Sequence, residues 1–336
     1  MRLQDLSRDW ARRCLDIPRF CLETLGIDLH RARLVLAYSA GVDSTALLHI
    51  LSCLRAPLKL ALTAAHVHHG LRPDSDHEQS HAVKTCAALD IPCATIRLTI
   101  PAHGPGIEAR ARLQRYAFLE EVRLRYDAAW IVTAHHGEDL AEDILLRLVR
   151  GTGWPGLGGM QGVDHTRRLL RPVLNWAKRD LQTFLSEHGI TWCEDRSNLS
   201  DRHTRNRFRH TILPLLQREN PQLTQTLLHL WRLARVDEDY WERVLPPVLP
   251  GQDEYVLDAA SIPPHPAQRL RVFKKILDAM GPGQALASHL FLLDKAWTDR
   301  SIGCTVQFPG DKIGCIAVSG IRFSRQQRRP LPATNI

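Results

Sequence analysis

Residues 38 to 45 read Tyr38-Ser39-Ala40-Gly41-Val42-Asp43-Ser44-Thr45, placing small residues, hydroxyls and one carboxylate in a short loop. Small side chains let backbone N–H groups converge on an anion. A helix beginning at the end of the loop adds roughly half a positive charge at its N-terminus. Ser39 and Ser44 offer hydroxyl donors to phosphate oxygens. Asp43 would repel a phosphate unless a cation lay between them, so a carboxylate in this position points to Mg²⁺ bridging protein and phosphate. The loop has neither the G-K-S/T ending of a Walker A loop nor the spacing G-x-G-x-x-G. A turn capped by Ser and Asp is the ordinary alternative. The place of the loop directly behind an apolar run, Leu34 to Tyr38, favours phosphate binding.

A second group of reactive residues is Ala134-His135-His136-Gly137-Glu138-Asp139-Leu140-Ala141-Glu142-Asp143. In a helix starting near Glu138, Asp139 and Glu142 are i, i+3 neighbours on one face. Two carboxylates so placed could hold Mg²⁺, orient an ammonium group or take its proton. An acidic first turn also complements the helix dipole, which suffices for Glu138 and Asp143. His135 and His136 have no third ligand at metal-binding spacing and are read as hydrogen-bonding nucleotide or backbone. Arg202-His203-Thr204-Arg205-Asn206-Arg207-Phe208-Arg209-His210 concentrates positive charge around an aromatic residue, which suits phosphate contact and base stacking. Arg115 lies in a helix already rich in arginine, where a solvated side chain is the default.

These groups have to be positioned by regular elements. Strand-like runs at 34–38, 60–67, 93–98 and 130–134 alternate with helical patterns at 44–54, 76–89, 108–126 and 138–150. Such alternation implies a doubly wound, mainly parallel α/β sheet with helices on both faces. Ligands of such sheets bind at the carboxyl ends of the strands, where both motifs fall. A surface helix that turns Leu3, Leu6, Trp10 and Cys14 inward precedes the first strand. After about residue 216 the pattern becomes helical, interrupted by Pro-rich breaks at 245–251 and 262–266, and it ends in β-like runs such as 304–308. We therefore expect two domains: residues 1–216 binding a nucleotide phosphate, and a smaller, mainly helical domain over 217–336 ending in short strands.

Composition sets the remaining bounds. With 336 residues and 44% hydrophobic side chains, the chain can bury a core. A formal net charge of +8 and a pI near 9.3 fit an anionic partner such as nucleic acid. No apolar run approaches the roughly 20 residues of a membrane span, and the amphipathic N-terminus lacks a signal core, so a cytoplasmic protein is expected. None of the eight cysteines forms a C-x-x-C pair, which removes the usual sign of a zinc, thioredoxin-like or sulfur-cluster site.

The loop at 38–45 resembles the S-G-G-x-D-S loop of the PP-loop ATP pyrophosphatases, with an adenine nucleotide α-hydrolase-like fold. Further segments resemble the tRNA(Ile)-lysidine synthases of that superfamily. They are His66-Val67-His68-His69-Gly70-Leu71-Arg72, Gly106 to Arg112 with Arg115-Tyr116, and the acidic segment above. Arg150 to Gly153, Gly156 to Met160, Arg171-Pro172-Val173-Leu174, Trp192 to Asn198 and Arg205 to His210 follow in the family's order. The resemblance implies ATP and Mg²⁺ as cofactors, with L-lysine and an isoleucine tRNA carrying a CAU anticodon as substrates. It assigns ATP to Ser39, Ala40, Gly41, Val42, Asp43, Ser44, His135, Arg205 and Arg209, and Mg²⁺ to Asp43 and Asp139. Catalysis falls to Asp43, Arg115, Asp139 and Glu142. A tRNA thiolase on the same scaffold and a tRNA-binding protein with a decayed ATP site are the alternatives, and a homodimer is left open. Two positions depart from the pattern. Ala40 replaces a Gly and would cost on the order of 1 kcal/mol if its φ is positive; Glu138 replaces an Asp.

Overall fold

A computed structural model of the protein describes residues 1–68, 75–98, 107–154, 156–194 and 204–326, without the side chains of Ile107 and Glu108. The motif residues His69 to Arg72, Gly106, Asp195 to Asn198, Arg202 and His203 lie outside the described residues. The chain forms two compact units, one made of Met1–Asp143 with Gly159–Leu228, the other of Ile144–Gly158 with His229–Ile336.

The first unit opens with α1 (Arg8–Glu23), capped by the Ser7 hydroxyl accepting from Trp10 N. It continues through β1 (Arg33–Ala37), α2 (Val42–Leu58), β2 (Ala61–His68), α3 (Ser75–Ala88), β3 (Cys93–Arg97), α4 (Ile107–Arg125) and β4 (Trp130–Val132). Next come α5 (Gly137–Val149), the two-residue strands β5 (Val163–Asp164) and β6 (Leu169–Leu170), and α6 (Lys178–Glu187). The sheet order is β3-β2-β1-β4-β6-β5, parallel except for β5 against β6.

Why helices cover both faces is visible in the strand residues. Leu34 and Leu36 of β1, Leu62 and Ala64 of β2, Val132 of β4 and Leu170 of β6 join one core with Trp10, Leu47, Leu51 and Phe184. The intervening Val35, Ala65, Ile131 and Leu169 join a second core with Phe118, Leu119 and Val122 of α4. A period of two with both sets apolar is the signature of a strand buried on both faces. The chain winds from β1 out to β3 and then returns to β4 on the other side of β1. That reversal makes a crevice outside the carboxyl ends of β1 and β4, the place where open α/β sheets bind ligands.

After α6 the chain forms α7 (Thr204–Arg207), a single π-helical turn (Phe208–Ile212), α8 (Leu213–Glu219) and α9 (Leu223–Val244). The second unit contains β7 (Glu254–Asp258), α10 (Pro266–Ala279), α11 (Ala287–Thr298), β8 (Thr305–Phe308), β9 (Lys312–Ala317) and β10 (Gly320–Arg325). Its strands form an antiparallel sheet, β7-β10-β9-β8, packed with α10 and α11 around Phe273, Leu277, Leu293, Ile321 and Phe323. The sequence pattern announces the terminal strands but not β7, whose short run buries only Leu257 well. Lys312, 1% exposed, donates its ammonium hydrogens to the carbonyls of Leu277, Gly281 and Gly283, so the buried charge is fully hydrogen-bonded. No helix among the described residues is long and apolar enough to cross a membrane.

Candidate functional site

The loop between β1 and α2 is held by three hydrogen bonds, two from β2 and one from Cys193. Tyr38 N donates to Ala65 O of β2 at 2.9 Å, the Tyr38 carbonyl lies 3.0 Å from His66 Nδ1, and Cys193 N donates to Ala40 O at 2.9 Å. Within the loop, Ser39 Oγ and Ser44 Oγ are 3.0 Å apart, Ser44 Oγ donates to Gly41 O at 3.1 Å, and Gly41 N donates to Ser39 Oγ at 3.4 Å. Both hydroxyls are thus held at the mouth of α2, bonded to each other and to the loop. Gly41 is the N-cap and has no side chain to bond the first-turn N–H groups, which lack intrahelical acceptors. Val42 packs its side chain against the core below. The loop is therefore a backbone cradle closed by hydroxyls, suited to an anion.

Ala40 has φ 65° and is fully buried. The positive φ anticipated for a Gly position is therefore imposed on a residue with a Cβ. Replacing Ala40 by Val is expected to lower stability by about 2 kcal/mol, because a β-branched residue is strained in the left-handed region. Ala40→Gly is expected to stay within about 1 kcal/mol of the parent, since relief of strain and loss of a buried methyl oppose each other. Thermal denaturation of the two variants checks both values.

The second half of the site lies at the end of β4. His135 Nδ1 is 2.8 Å from Thr133 Oγ1. Burial lowers its imidazole to about 4; Asp139 opposes this, while Arg171, Arg205 and Arg115 reinforce it. His136 is the opposite case. Burial would lower it, but Asp43, Glu138 and Asp139 outweigh burial and hold it up at about 10. Its Nε2 lies 3.3 Å from Asp139 Oδ2 and 3.6 Å from Asp43 Oδ2, while Nδ1 lies 3.1 Å from Glu138 Oε2. Glu138 Oε2 also accepts from Lys178 N at 2.9 Å, so this carboxylate positions His136 and ties α5 to the start of α6. Gly137 allows the close approach: a Cβ there would lie 2.8 Å from Thr224 Cγ2 and 3.1 Å from Trp176 O.

Asp139 and Glu142 do share a face of α5, and both are buried, at 8% and 1% exposure. They do not face solvent as free carboxylates. Arg209 donates Nε to Glu142 Oε1 at 2.5 Å, and Nη2 to Glu142 Oε2 at 3.0 Å and Asp139 Oδ1 at 2.9 Å. Arg205 donates Nε to Glu142 Oε2 at 3.0 Å and Nη2 to Asp139 Oδ1 at 3.5 Å. Burial pushes Asp139 up, but His136, His135, Arg205 and Arg209 pull it below the usual carboxylate range. The arginines read from the sequence as phosphate ligands thus have carboxylate partners in this state.

Arg115 lies on α4 beside Tyr116, its guanidinium carbon 5.3 Å from the ring centroid, with Arg112 at 5.2 Å. It reaches the site through its field, as one of the cations around His135, and makes no ion pair with the other candidate residues among those described. Two contributors receive no separate role from the sequence. His136 was not separated from His135, although it is the charged link between Asp43 and Asp139. Arg171 is 8% exposed and donates Nη1 to Gln161 O at 2.6 Å, with its Nε buried and unbonded. Its signal was the run Arg171-Pro172-Val173-Leu174.

Among the described residues no cluster of three or more His, Cys, Asp or Glu is arranged to hold a metal ion. Mg²⁺ at phosphate sites takes one or two carboxylates and completes its shell with water and phosphate oxygens. Asp43 fits that role, because its Oδ1 is buried without a hydrogen-bond partner. Asp139 fits less well, with Oδ1 engaged by arginine and Oδ2 accepting from His136 N at 3.2 Å.

Comparison with known proteins follows the same lines. A family profile described as a PP-loop domain matches residues 19–216. The tRNA(Ile)-lysidine synthase of Nitratidesulfovibrio vulgaris is 42% identical over 325 residues, covering 89% of this chain and 94% of that protein. The protein of the same name from Alkalilimnicola ehrlichii is 41% identical over 192 residues, covering 56% of this chain and 43% of that longer protein. Among solved structures, the U34-tRNA thiolase NcsA from Methanococcus maripaludis, with its 4Fe-4S cluster, aligns with a TM-score of 0.55 at 15% identity. That alignment covers 66% of this chain and 78% of the thiolase, a likeness of fold.

Proposed function

The chain belongs to the tRNA(Ile)-lysidine synthase family and carries its ATP-using PP-loop domain, and from that premise we propose that it joins L-lysine to the wobble cytidine in the CAU anticodon of an isoleucine tRNA. The observation that carries this reading is the junction of two sites. A phosphate cradle at the end of β1 and a buried acidic pair at the end of β4 are linked through His136, which lies 3.6 Å from Asp43 and 3.3 Å from Asp139.

The reaction needs both sites. The cytosine C2 oxygen attacks the α-phosphorus of ATP, the bond to pyrophosphate breaks, and pyrophosphate leaves. The backbone and hydroxyls of residues 39–44 receive the phosphates. Mg²⁺ held by Asp43 would neutralise phosphate charge there. Arg115, Arg205 and Arg209 supply further positive charge for the transfer. Adenylation turns an amide-like oxygen into a good leaving group. The ε-amine of lysine, its extra proton passing to Glu142 of the acidic pair, attacks C2; the C2–O bond breaks and AMP leaves. Asp139, held below the usual carboxylate range, is suited to grip the incoming ammonium. In this reading residues 217–336 help hold the anticodon arm, and the base leaves its stack to enter the crevice.

Sulfur transfer is not favoured, because the likeness to the thiolase is one of fold and no C-x-x-C pair is present. Product analysis tests the nucleotide chemistry. With tRNA transcript, lysine and Mg-ATP, the products are expected to be AMP and pyrophosphate in equal amounts. Release of ADP and phosphate would exclude the adenylating mechanism.

A further inference from the structure

The acidic pair cannot serve a lysine while arginines occupy it. Asp139 and Glu142 carry two negative charges and Arg205 and Arg209 two positive ones, all joined by the hydrogen bonds given above. The quartet is balanced. Both oxygens of Glu142 accept from a guanidinium, Asp139 Oδ1 accepts from both arginines and Asp139 Oδ2 from His136 N, so an ammonium group would find these carboxylates already engaged in a space where Glu142 is 1% exposed. Burying an unpaired charge is costly, so lysine must displace at least one guanidinium. The displaced guanidinium then needs another anion.

Such an anion is available on one side of the site. The phosphate loop adjoins the quartet: Asp43 lies 3.6 Å from His136 Nε2, which lies 3.3 Å from Asp139, and Arg209 lies 2.9 Å from the same Asp139, so a phosphate bound at the loop comes within the clasp's surroundings. An arginine fork binds phosphate oxygens in the same two-pronged manner as a carboxylate. Arg209 is carried on the single π-helical turn Phe208–Ile212, between α7 and α8. Turns of this kind are rare irregularities within α-helices and are frequent at functional sites.

We propose that Arg205 and Arg209 form a charge clasp that keeps Asp139 and Glu142 closed to lysine until the triphosphate of ATP draws the guanidinium groups away. Nucleotide binding then creates the ammonium site, and lysine enters second. The inference rests on the lysine-ligating reading. By linkage the effect is reciprocal: ATP raises the affinity for lysine by the same factor as lysine raises the affinity for ATP. The clasp also keeps two buried carboxylates neutralised while the enzyme is empty.

Equilibrium dialysis of labelled L-lysine against the full chain and tRNA transcript tests this, with and without Mg and α,β-methylene-ATP, which cannot release pyrophosphate. The analogue is expected to tighten lysine binding by about tenfold or more, a coupling within the usual range for linked sites. Arg209→Gln is expected to tighten nucleotide-free binding and to shrink that ratio to below about threefold. Arg205→Gln, at a side chain 45% exposed, repeats the test where loss of folding is less of a concern, and it should shrink the ratio in the same direction. Equal lysine affinity with and without the analogue in the parent protein overturns the clasp. So does a ratio left unchanged in both folded variants. If lysine affinity ignores nucleotide while label still enters tRNA, the clasp falls and lysine ligation stands. If lysine binds under neither condition and no label enters tRNA, both fall.

Discussion

Asp43→Asn is expected to lower AMP formation by about a hundredfold or more, with little loss of stability. The magnitude is that of removing one preorganised charged group from a site where phosphate charge develops. Asp43 Oδ1 is shielded from solvent and has no partner in the fold, and His136, 3.6 Å from Oδ2, keeps Glu138 and Asp139 as closer partners, so the loss of stability is limited. The amide keeps the shape of the side chain while removing the charge that would hold Mg²⁺. A single-turnover assay of pyrophosphate release, alongside a thermal melt, separates the two effects. Turnover within about threefold of the parent removes Asp43 from the phosphate chemistry.

Glu142→Gln is expected to be damaging in two ways. Its side chain is 1% exposed and accepts from both Arg205 and Arg209, so removing its charge leaves two guanidinium groups short of a partner. Breaking one side of a buried ion pair costs about 3 kcal/mol, which should appear as a lower Tm. The second effect is chemical. Loss of half the acidic pair should slow lysine transfer by about a hundredfold while leaving adenylation in place. The first turnover would then release pyrophosphate without placing lysine on the tRNA. A variant that loses both steps equally, with its Tm unchanged, would argue against this division of labour.

Much of the first unit is legible in the sequence because its signals are local. The runs containing Val35, Ile131 and their neighbours are apolar on both faces, and residues buried between two helical layers have to be. The phosphate loop declares itself by composition and by its place behind β1. The acidic pair is found by its i, i+3 spacing on α5. What the sequence does not disclose is pairing over distance. Glu142 meets Arg209 across 67 positions and Asp139 meets it across 70, and no local pattern links them. The two adjacent histidines show the same limit. His135 is lowered to about 4 and His136 raised to about 10, because one is buried among cations and the other among carboxylates. Strands β5 and β6 have only two residues each and escape any periodicity argument. Ala40 is a case where the sequence could pose the question but only the backbone angle could answer it.

The most direct measurement of the central claim follows labelled L-lysine into tRNA. Purified protein is incubated with Mg-ATP and an isoleucine tRNA transcript bearing a CAU anticodon, and the modified nucleoside is recovered after digestion. The account predicts label at the wobble cytidine, dependent on ATP and abolished when that cytidine is replaced by uridine. AMP and pyrophosphate formed with no label in the tRNA would contradict it, leaving the phosphate loop in use but another nucleophile at the acidic pair.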